Sequence, residues 1–411
     1  MDLLDNPVHH DAWGSPTAIP RLLGETPDGA PRSELWVGAH PAAPSRLERA
    51  GTTRTLAEVI SADPVAELGD AVVGRYGPRL PFLLKVLAAA RPLSLQAHPS
   101  PTQAAAGFAD EERRGIALSD PGRNYADANH KPEMLCALTE FHALCGFRPV
   151  GETVQLLETL GVPALAVDVE TLRAHPDPSG LRAVLTRLLR LPLAERRSLV
   201  EAVADHCAEV ASGRGPDAQV AQTVVELAAL YPGDVGVVCA LLLNRVTLQP
   251  GETIFLAAGN LHAYLRGVGI EIMASSDNVL RGGLTVRHVD VDELLAIVDT
   301  APGRVPLVRP VVRNDVETSY PTPVADFALS RLTLPAGRPY ELPPGRPQIL
   351  LVVDGVLEVT QAGQVNRLRR GQAGFLAAAE PPAVLTGAAT AFLATTSTSG
   401  PDETAAARAE G

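Results

Sequence analysis

The sequence predicts a mainly β protein with a helical insert, and three observations support this fold class. In residues 251–285, short apolar runs are separated by glycine-containing triplets, which is typical of closely spaced antiparallel strands. Between residues 151 and 230, apolar residues repeat with the 3.6-residue period of helices. The long apolar run at 348–360 is typical of one hairpin of a small jelly roll.

Length and composition limit the class of protein. The chain has 411 residues, more than one ordinary core accommodates, so two or three domains are expected. A net charge of −12 without a basic run argues against nucleic acid or an anionic membrane as a partner. The N-terminus carries acidic residues and no apolar core of signal-peptide length, and no stretch of the sequence approaches the length of a membrane span. We therefore expect a cytoplasmic protein whose four cysteines are buried free thiols.

The predicted elements follow the chain in order. Residues 1–50 are loops and short strands, 52–76 are helical, and 81–87 and 92–99 are strands. Helices occupy 151–230, and the TyrProGlyAsp sequence at 231–234 ends the last of them. Strands resume at Val235, a helix is expected at 291–298, and a proline-rich connector spans 302–323.

These elements divide the chain into four parts. We predict a discontinuous, strand-rich domain (1–150 plus 231–320), a helical domain (151–230), a C-terminal jelly roll (321–398) and a disordered tail (399–411). The C-terminal unit contains no histidine, so a histidine-based metal site is not expected there.

The two lysines of the chain invite a functional explanation. Lysine and arginine together number 35, yet only Lys85 and Lys131 are lysines. A lysine ammonium is a compact point charge that can lose its proton, whereas an arginine guanidinium stays charged. Chance retention of two ordinary lysines is the alternative. Lys85 lies within an apolar strand, where its ammonium either reaches the surface or faces a polar cavity.

Four side chains from separate strands are candidate metal ligands. Gln96 and His98 share one face of a predicted strand, Glu133 begins another, and His262 lies in the 251–285 region. Two imidazoles, a carboxylate and an amide oxygen suit Zn²⁺ or a similar divalent ion. A histidine in such a strand is more often a core or surface residue, so residue types alone leave both interpretations open.

Five longer motifs resemble those of the type I phosphomannose isomerases. They are SLQAHP (94–99), NHKPEM (129–134), FHALCGF (141–147), GNLHAYL (259–265) and EIMASSDNVLRGGLT (271–285). These enzymes are zinc proteins of the cupin superfamily that interconvert mannose 6-phosphate and fructose 6-phosphate. Several long motifs in the right order are far more specific than one short pattern. The resemblance implies a cupin jelly-roll catalytic domain, and it is strongest over residues 1–150 and 231–300.

The resemblance assigns roles to individual residues. It implies one zinc ion per chain, bound by Gln96, His98, Glu133 and His262. It implies a sugar-phosphate pocket lined by Lys85, His130, Lys131, Tyr264, Glu271, Asp277 and Arg281. Ser94, on the ligand-bearing face of its strand, is counted with the substrate-binding residues. The expected partner is a small phosphorylated sugar, and the expected state is a monomer.

The implied reaction assigns chemistry to these residues. Aldose–ketose isomerisation through an enediol needs a base that moves a proton between C2 and C1. Lys131 and Glu271 are both candidates, and the sequence does not rank them. Arg281 is expected to hold the phosphate or stabilise developing negative charge, and Tyr264 to position the sugar. A related sugar isomerase, a metal-dependent oxygenase of the same fold and a non-catalytic sugar-phosphate binder remain alternatives.

Overall fold

The computed structural model describes residues 1–397, which form two large antiparallel sheets and a helical domain. The predicted tail at 399–411 lies outside the described residues. Apart from a two-stranded ribbon, β4–β5, the strands belong to an eleven-stranded sheet that carries the candidate ligands and a nine-stranded C-terminal sheet. The strands are β1 (Asp2–Leu4), β2 (Val8–His9), β3 (Glu34–Val37), β4 (Arg46–Arg49), β5 (Thr52–Thr55), β6 (Phe82–Ala89), β7 (Leu95–Ala97), β8 (Glu133–Ala137), β9 (Phe141–Phe147), β10 (Leu243–Leu248), β11 (Thr253–Leu256), β12 (His262–Ala274), β13 (Leu280–Gly283), β14 (Leu307–Val308), β15 (Val311–Val312), β16 (Glu317–Tyr320), β17 (Ala328–Leu334), β18 (Tyr340–Leu342), β19 (Gln348–Gln361), β20 (Gln364–Arg369), β21 (Ala373–Leu376) and β22 (Ala383–Thr395).

The helices confirm the predicted helical insert. They are α1 (Ala18–Leu23), α2 (Leu56–Ala62), α3 (Pro64–Leu68), α4 (Asp70–Tyr76), α5 (Pro101–Arg113), α6 (Val150–Leu160), α7 (Ala166–Ala174), α8 (Pro178–Arg190), α9 (Leu193–Ala211), α10 (Pro216–Leu230), α11 (Gly236–Cys239) and α12 (Val291–Ile297), with 3₁₀ turns at Pro163–Leu165 and Ala240–Leu242. Helices α6–α10 occupy the predicted insert. None of the helices in residues 1–397 combines the length and apolar character that a membrane crossing requires.

The helical prediction for residues 52–76 is only partly right. The structure has a strand and three short helices there, α2, α3 and α4. Thr55 and Glu58 form a capping box that starts α2, and the Asp63 side chain accepts a hydrogen bond from Ala66 N at the start of α3. Pro64 begins α3 because a proline fits the first turn of a helix. The spacing of apolar residues alone does not reveal where these short helices begin and end.

Strands also resume later than predicted, because residues 236–242 are helical turns.

Strand β12 is the centre of the eleven-stranded sheet. The predicted break at the GlyValGly sequence is wrong, because β12 runs continuously from His262 to Ala274. Its first half pairs with β7 and β9, and its second half pairs with β6 and β8. Between the halves, Gly267 has a φ of 133°, and a side chain there would lie 2.6 Å from the Phe141 ring. The glycine therefore lets the strand bend from one arm of the sheet to the other.

The two faces of β12 pack against different neighbours. Leu261, Ala263 and Leu265 belong to the core shared with the helical domain, while Tyr264 faces the opposite side, as the alternation predicts. Further along, Ile270 and Ile272 are fully buried in the core shared with the C-terminal sheet. Each such side chain contributes about 2–3 kcal/mol by burial. Because the apolar side chains of both halves pack against the helical domain or the C-terminal sheet, the polar side chains of β12 lie on its other face.

The C-terminal sheet recruits strands from outside its predicted range. Strand β1, at the N-terminus, pairs with β21, and strands β15 and β16 of the proline-rich connector join the same sheet. Strand β14 of the connector pairs instead with β11. The connector therefore links the two sheets through backbone hydrogen bonds.

All four cysteines are buried and free, as predicted.

Candidate metal centre and its pocket

Three candidate metal ligands converge in the interior of the eleven-stranded sheet. The donor atoms of His98, Glu133 and His262 lie within 4.8 Å of one another, and each residue is at most 2% exposed. Glu133 and His262 are the first residues of β8 and β12, and His98 directly follows β7. His262 pairs with Gln96 of β7, two residues from His98, whereas Glu133 pairs with Met273 near the other end of β12. The bend of β12 at Gly267, rather than direct pairing, therefore brings Glu133 close to the two histidines.

The hydrogen bonds around the two histidines fix their protonation. His98 Nδ1 lies 2.7 Å from the Asn278 carbonyl oxygen, and His262 Nδ1 lies 3.0 Å from the Asn260 carbonyl oxygen. A carbonyl oxygen can only accept, so each Nδ1 carries the proton and donates it. Burial lowers the pKa of His98 to about 4, so its ring is neutral at pH 7. In this tautomer the Nε2 lone pairs face the carboxylate of Glu133.

This arrangement fits a divalent metal ion. His98 Nε2 lies 3.2 Å from one oxygen of Glu133, and His262 Nε2 lies 3.4 Å from the other. Lone pairs that face a carboxylate repel it unless a cation lies between them. His98 Nε2 and Glu133 Oε2 are both buried, and neither has a hydrogen-bond partner among residues 1–397. Ring nitrogens held by backbone carbonyls are typical of metal-binding histidines.

Gln96 is placed to complete the ligand set. It pairs with His262 across β7 and β12, and its Nε2 atom lies 3.4 Å from His262 Nε2. A half-turn of the terminal amide exchanges its nitrogen and oxygen and directs the oxygen toward the other donors. Two imidazole nitrogens, a carboxylate and an amide oxygen would then surround one position, a set that suits zinc.

Lys131 and Glu133 form a buried ion pair beside the ligands. Their charged atoms are 3.2 Å apart, and Lys131 is 8% exposed. Burial alone raises the pKa of the Glu133 carboxyl, but the positive charges of His98, when it is protonated, and of Lys131 outweigh it and hold that pKa well below its usual range. Glu133 is therefore ionised at neutral pH, as a metal ligand must be.

The other lysine joins a second buried cluster. Lys85 Nζ lies 3.3 Å from Glu34 Oε1, 3.5 Å from Glu271 Oε2 and 4.9 Å from the centre of the Trp36 ring. Lys85 on β6 is directly opposite Trp36 on β3 and Glu271 on β12, so the three side chains share one face. Burial lowers the pKa of Lys85, but the surrounding carboxylates, first Glu34 and then Glu271, outweigh it and raise that pKa.

Glu271 and Tyr264 are buried groups with shifted acidity. Burial, reinforced by the negative charge of Glu133 and opposed by Lys85, raises the pKa of Glu271 to about 7. Burial also raises the pKa of Tyr264 well above its usual value, and among the described residues its hydroxyl has no hydrogen-bond partner. Glu271 can therefore exchange a proton near neutrality, and Tyr264 offers a free hydroxyl to a ligand.

Arg281 supplies a positive charge without a protein counter-ion. It lies on β13 directly opposite Gln96 on β7. Among residues 1–397, no carboxylate oxygen lies within 4.0 Å of its guanidinium. Burial lowers the pKa of this group, with a smaller contribution from Arg287, but an arginine still stays charged at neutral pH. At the end of this strand, Gly283 has a φ of 140°, and a Cβ atom there would lie only 2.7 Å from Gly236 Cα, so no side chain fits.

Three predicted pocket residues lie outside the ion cluster. Ser94 is partly buried just before β7. The His130 ring contacts Asp326 of the C-terminal unit, with 3.0 Å between His130 Nε2 and the carboxylate. Asp277 is exposed, and its carboxylate lies 3.4 Å from His40 Nε2. The substrate-binding roles of Ser94, His130 and Asp277 therefore stay predictions, as do the catalytic roles of the clustered residues.

Sequence analysis missed several residues that build the site. Glu34 and Trp36 share the inner face of β3, and Trp36 Nε1 donates to Glu34 Oε2 at 2.7 Å. Asn278 orients His98 through its carbonyl, and its side-chain oxygen accepts from the backbone of residues 126 and 127. The alternation of Glu34 and Trp36 along one strand was a usable signal. Nothing local in the sequence marks Asn278, because its partners are about 150–180 residues away.

Comparisons with known proteins give the family. Residues 1–150 match the family described as phosphomannose isomerase type I, catalytic domain. The chain is 40% identical over 393 residues to mannose-6-phosphate isomerase of Escherichia coli (strain K12), covering 94% of this chain and 97% of that protein. The chain belongs to the mannose-6-phosphate isomerase family. The family's human enzyme is 33% identical over 402 residues, covering 91% of this chain and 92% of its own.

Solved structures of mannose-6-phosphate isomerases have the same fold. A mutant of phosphomannose isomerase from Salmonella typhimurium superposes with a TM-score of 0.90 at 37% identity, covering 96% of this chain and 99% of that one. A zinc-bound mannose 6-phosphate isomerase superposes with a TM-score of 0.88 at the same identity and coverage. The predicted family and fold class are therefore confirmed: a cupin-type, mainly β protein with a helical insert.

Proposed function

We propose that the protein is a zinc-dependent mannose-6-phosphate isomerase that interconverts mannose 6-phosphate and fructose 6-phosphate. The observation that carries the proposal is the buried ligand set of His98, Glu133 and His262, in which nitrogen lone pairs face a carboxylate. Membership of the protein in the mannose-6-phosphate isomerase family supports the same activity. The proposal includes a monomeric state, a cytoplasmic location and the predicted domain limits.

Zinc would be held by His98, Glu133 and His262, with Gln96 as the fourth ligand. Bound there, it supplies Lewis-acid polarisation of the substrate oxygens. The Nδ1–H groups of the two histidines keep their rings oriented by donating to backbone carbonyls. Lys131 keeps Glu133 ionised, so the ligand set is ready before an ion binds.

The protein's own task is to move one proton between two carbons. A base removes the proton from C2 of the open-chain aldose; the C–H electrons form the C1–C2 double bond, and the π electrons of the C1 carbonyl move to the C1 oxygen, which takes up a proton. The enediol then gives up the proton of its C2 hydroxyl to form the C2 carbonyl, and the base delivers its proton to C1. Glu271 is suited to this role because its pKa of about 7 lets it accept and return a proton at neutral pH. Lys131 remains the other candidate.

The remaining side chains suit substrate binding. We propose that Arg281, which has no carboxylate partner in the part of the chain that the structure describes, holds the phosphate or stabilises charge on the enediol. The unpartnered Tyr264 hydroxyl would hydrogen-bond a sugar hydroxyl. Lys85 is already engaged with two carboxylates, so we assign it to positioning Glu271 and the sugar.

A coupled isomerase assay tests this function. Purified protein is expected to convert mannose 6-phosphate to fructose 6-phosphate, to lose activity after dialysis against a strong chelator, and to recover it with Zn²⁺. Glucose 6-phosphate and unphosphorylated mannose serve as control substrates and should be converted far more slowly. Full activity in metal-free protein would contradict the zinc requirement, and equal rates on glucose 6-phosphate would contradict the sugar assignment.

Replacement of Asp326 tests whether the C-terminal unit supports the pocket. Asp326→Ala is expected to lower kcat/KM by about tenfold, because the His130 ring loses the carboxylate that orients it. Asp326→Asn should retain more activity, since its amide oxygen can still accept a hydrogen bond. Steady-state kinetics on mannose 6-phosphate measure both effects. Asp354→Ala, in an exposed part of the same sheet, is the control and should behave like the wild type. Wild-type kinetics in Asp326→Ala would remove Asp326 from this role.

A further inference from the structure

A second cavity lies on the outer side of the catalytic sheet, against the helical domain. We name it the Arg245 pocket. It has a volume of about 300 Å³, and its polar lining comes from Arg91, His142, Thr223, Glu226, Arg245 and Arg266. The remaining walls are largely apolar and include Pro92, Leu227 and Leu230. This volume lies at the lower end of the range for small-molecule sites.

The arginines of this pocket have no carboxylate partners. Among the described residues, no carboxylate oxygen lies within 4.0 Å of the guanidinium of Arg91, Arg245 or Arg266. Arg245 is partly buried, whereas Arg91 and Arg266 are exposed. Three guanidiniums without an acidic partner therefore line one cavity of a chain with a net charge of −12.

The neighbouring groups do not neutralise this charge. Arg245 donates to Thr223 Oγ1 at 2.9 Å, to Thr247 Oγ1 at 2.8 Å and to His142 Nδ1 at 3.3 Å, all of which are uncharged acceptors. Glu226 in the cavity lining and Glu140, whose carboxylate lies 3.1 Å from His142 Nε2, supply two negative charges near the three arginines. The pocket keeps a net positive charge.

The Arg245 pocket is distinct from the metal centre. Leu265 and Arg266 of β12 line it, whereas the preceding Tyr264 faces the metal side of the same strand. The chain next to Pro92 forms the other edge of the Arg245 pocket, and there Leu93 N donates a hydrogen bond to the Tyr264 carbonyl oxygen at 2.8 Å. Strand β12 thus separates the Arg245 pocket from the metal centre.

We propose that the Arg245 pocket is a second anion site that binds a small phosphate monoester. The phosphate would be held by Arg91, Arg245 and Arg266, because guanidinium groups form bidentate hydrogen bonds to phosphate oxygens. The organic part would lie against the apolar wall formed by Leu227 and Leu230. This site is additional to the sugar-phosphate pocket and does not depend on the proposed isomerase activity.

Isothermal titration of zinc-loaded protein with phenyl phosphate tests the proposal. Phenyl phosphate combines a phosphate with an apolar ring, and phenol serves as the probe without the phosphate. The titration uses the Arg281→Gln variant, so that binding at the metal pocket is weakened and the Arg245 pocket dominates the signal. We expect one phenyl phosphate per chain and no binding of phenol.

The double variant Arg91→Gln/Arg266→Gln, made in the same background, locates the binding. It should weaken phenyl phosphate at least about tenfold, because two charge-assisted contacts are lost. In the wild-type background it should leave isomerase kinetics unchanged. Arg21→Gln/Arg370→Gln removes the same charge from exposed positions elsewhere and should bind like its parent. Unchanged affinity in Arg91→Gln/Arg266→Gln, or equal binding of phenol, would overturn the proposal.

Discussion

Replacing Glu133 with glutamine is expected to remove bound zinc and to lower kcat/KM on mannose 6-phosphate by well over about 100-fold. Changes to groups that merely orient metal ligands cost about 10–100-fold, so loss of a ligand itself should cost more. The substitution keeps the size of the side chain but removes the only charge among the proposed ligands His98, Glu133, His262 and Gln96. Zinc content, measured by mass spectrometry after dialysis, is the direct readout.

A burial-matched variant separates ligand loss from damage to the fold. Glu111 is 4% exposed, accepts hydrogen bonds from the backbone of residues 124 and 125, and is not part of the metal cluster. Glu111→Gln should lower the melting temperature yet retain one zinc per chain. If Glu133→Gln also retained one zinc per chain, the proposed ligand set would be wrong.

Local pattern predicted the inner and outer faces of the strands but not their connections. The alternation of Leu261, Ala263 and Leu265 with His262 and Tyr264 correctly predicts which side chains pack against the helical domain and which face the opposite side. The continuity of β12 through Gly267 escaped prediction, because glycine marks both turns and bends within strands. Whether a glycine ends a strand depends on partners far away in the sequence.

Long-range pairing also explains what was missing from the predicted site. Spacing alone left the metal interpretation open, and the resemblance to known isomerases supplied the four ligands. Among these, the structure brings together His98, Glu133 and His262 and places Gln96 beside His262. The contact between Lys85 and Glu34 follows from the pairing of β3 with β6, which no local period encodes. The same is true of β1 in the C-terminal sheet.

The site also explains why the chain keeps its two lysines. Each is buried and lies within 3.3 Å of a carboxylate, Lys85 at Glu34 and Lys131 at Glu133. The site therefore contains alternating positive and negative groups rather than isolated charges. Such networks hold their members in fixed positions and shift their pKa values, which favours proton transfer.

Replacing Glu271 with glutamine is expected to lower kcat by about 10²–10⁴-fold, the usual contribution of a general base. The amide keeps the shape of the side chain but cannot accept the C2 proton. KM should change little, because Arg281 and Tyr264 remain to bind the sugar phosphate. Zinc content should stay at one per chain, which distinguishes this variant from Glu133→Gln.

The pH dependence gives an independent test of the same role. A base works only when deprotonated, so activity falls as the pH drops through its pKa. Burial raises the pKa of Glu271 to about 7, whereas an exposed glutamate titrates near about 4.3. A bound zinc ion opposes this rise, so the acidic limb of the kcat profile should lie between these values. In Glu271→Gln this limb should disappear.

Glu34→Gln is the matched control, because Glu34 contacts the same lysine but is not a candidate base. Its carboxylate lies 3.3 Å from Lys85 Nζ, and that of Glu271 lies 3.5 Å away. If Glu271 is the base, Glu34→Gln should reduce kcat far less than Glu271→Gln and should keep the acidic limb. Nearly equal losses would mean that both carboxylates act only by holding Lys85. Wild-type kcat in Glu271→Gln would instead assign the proton transfer to Lys131, whose ammonium lies 3.2 Å from Glu133.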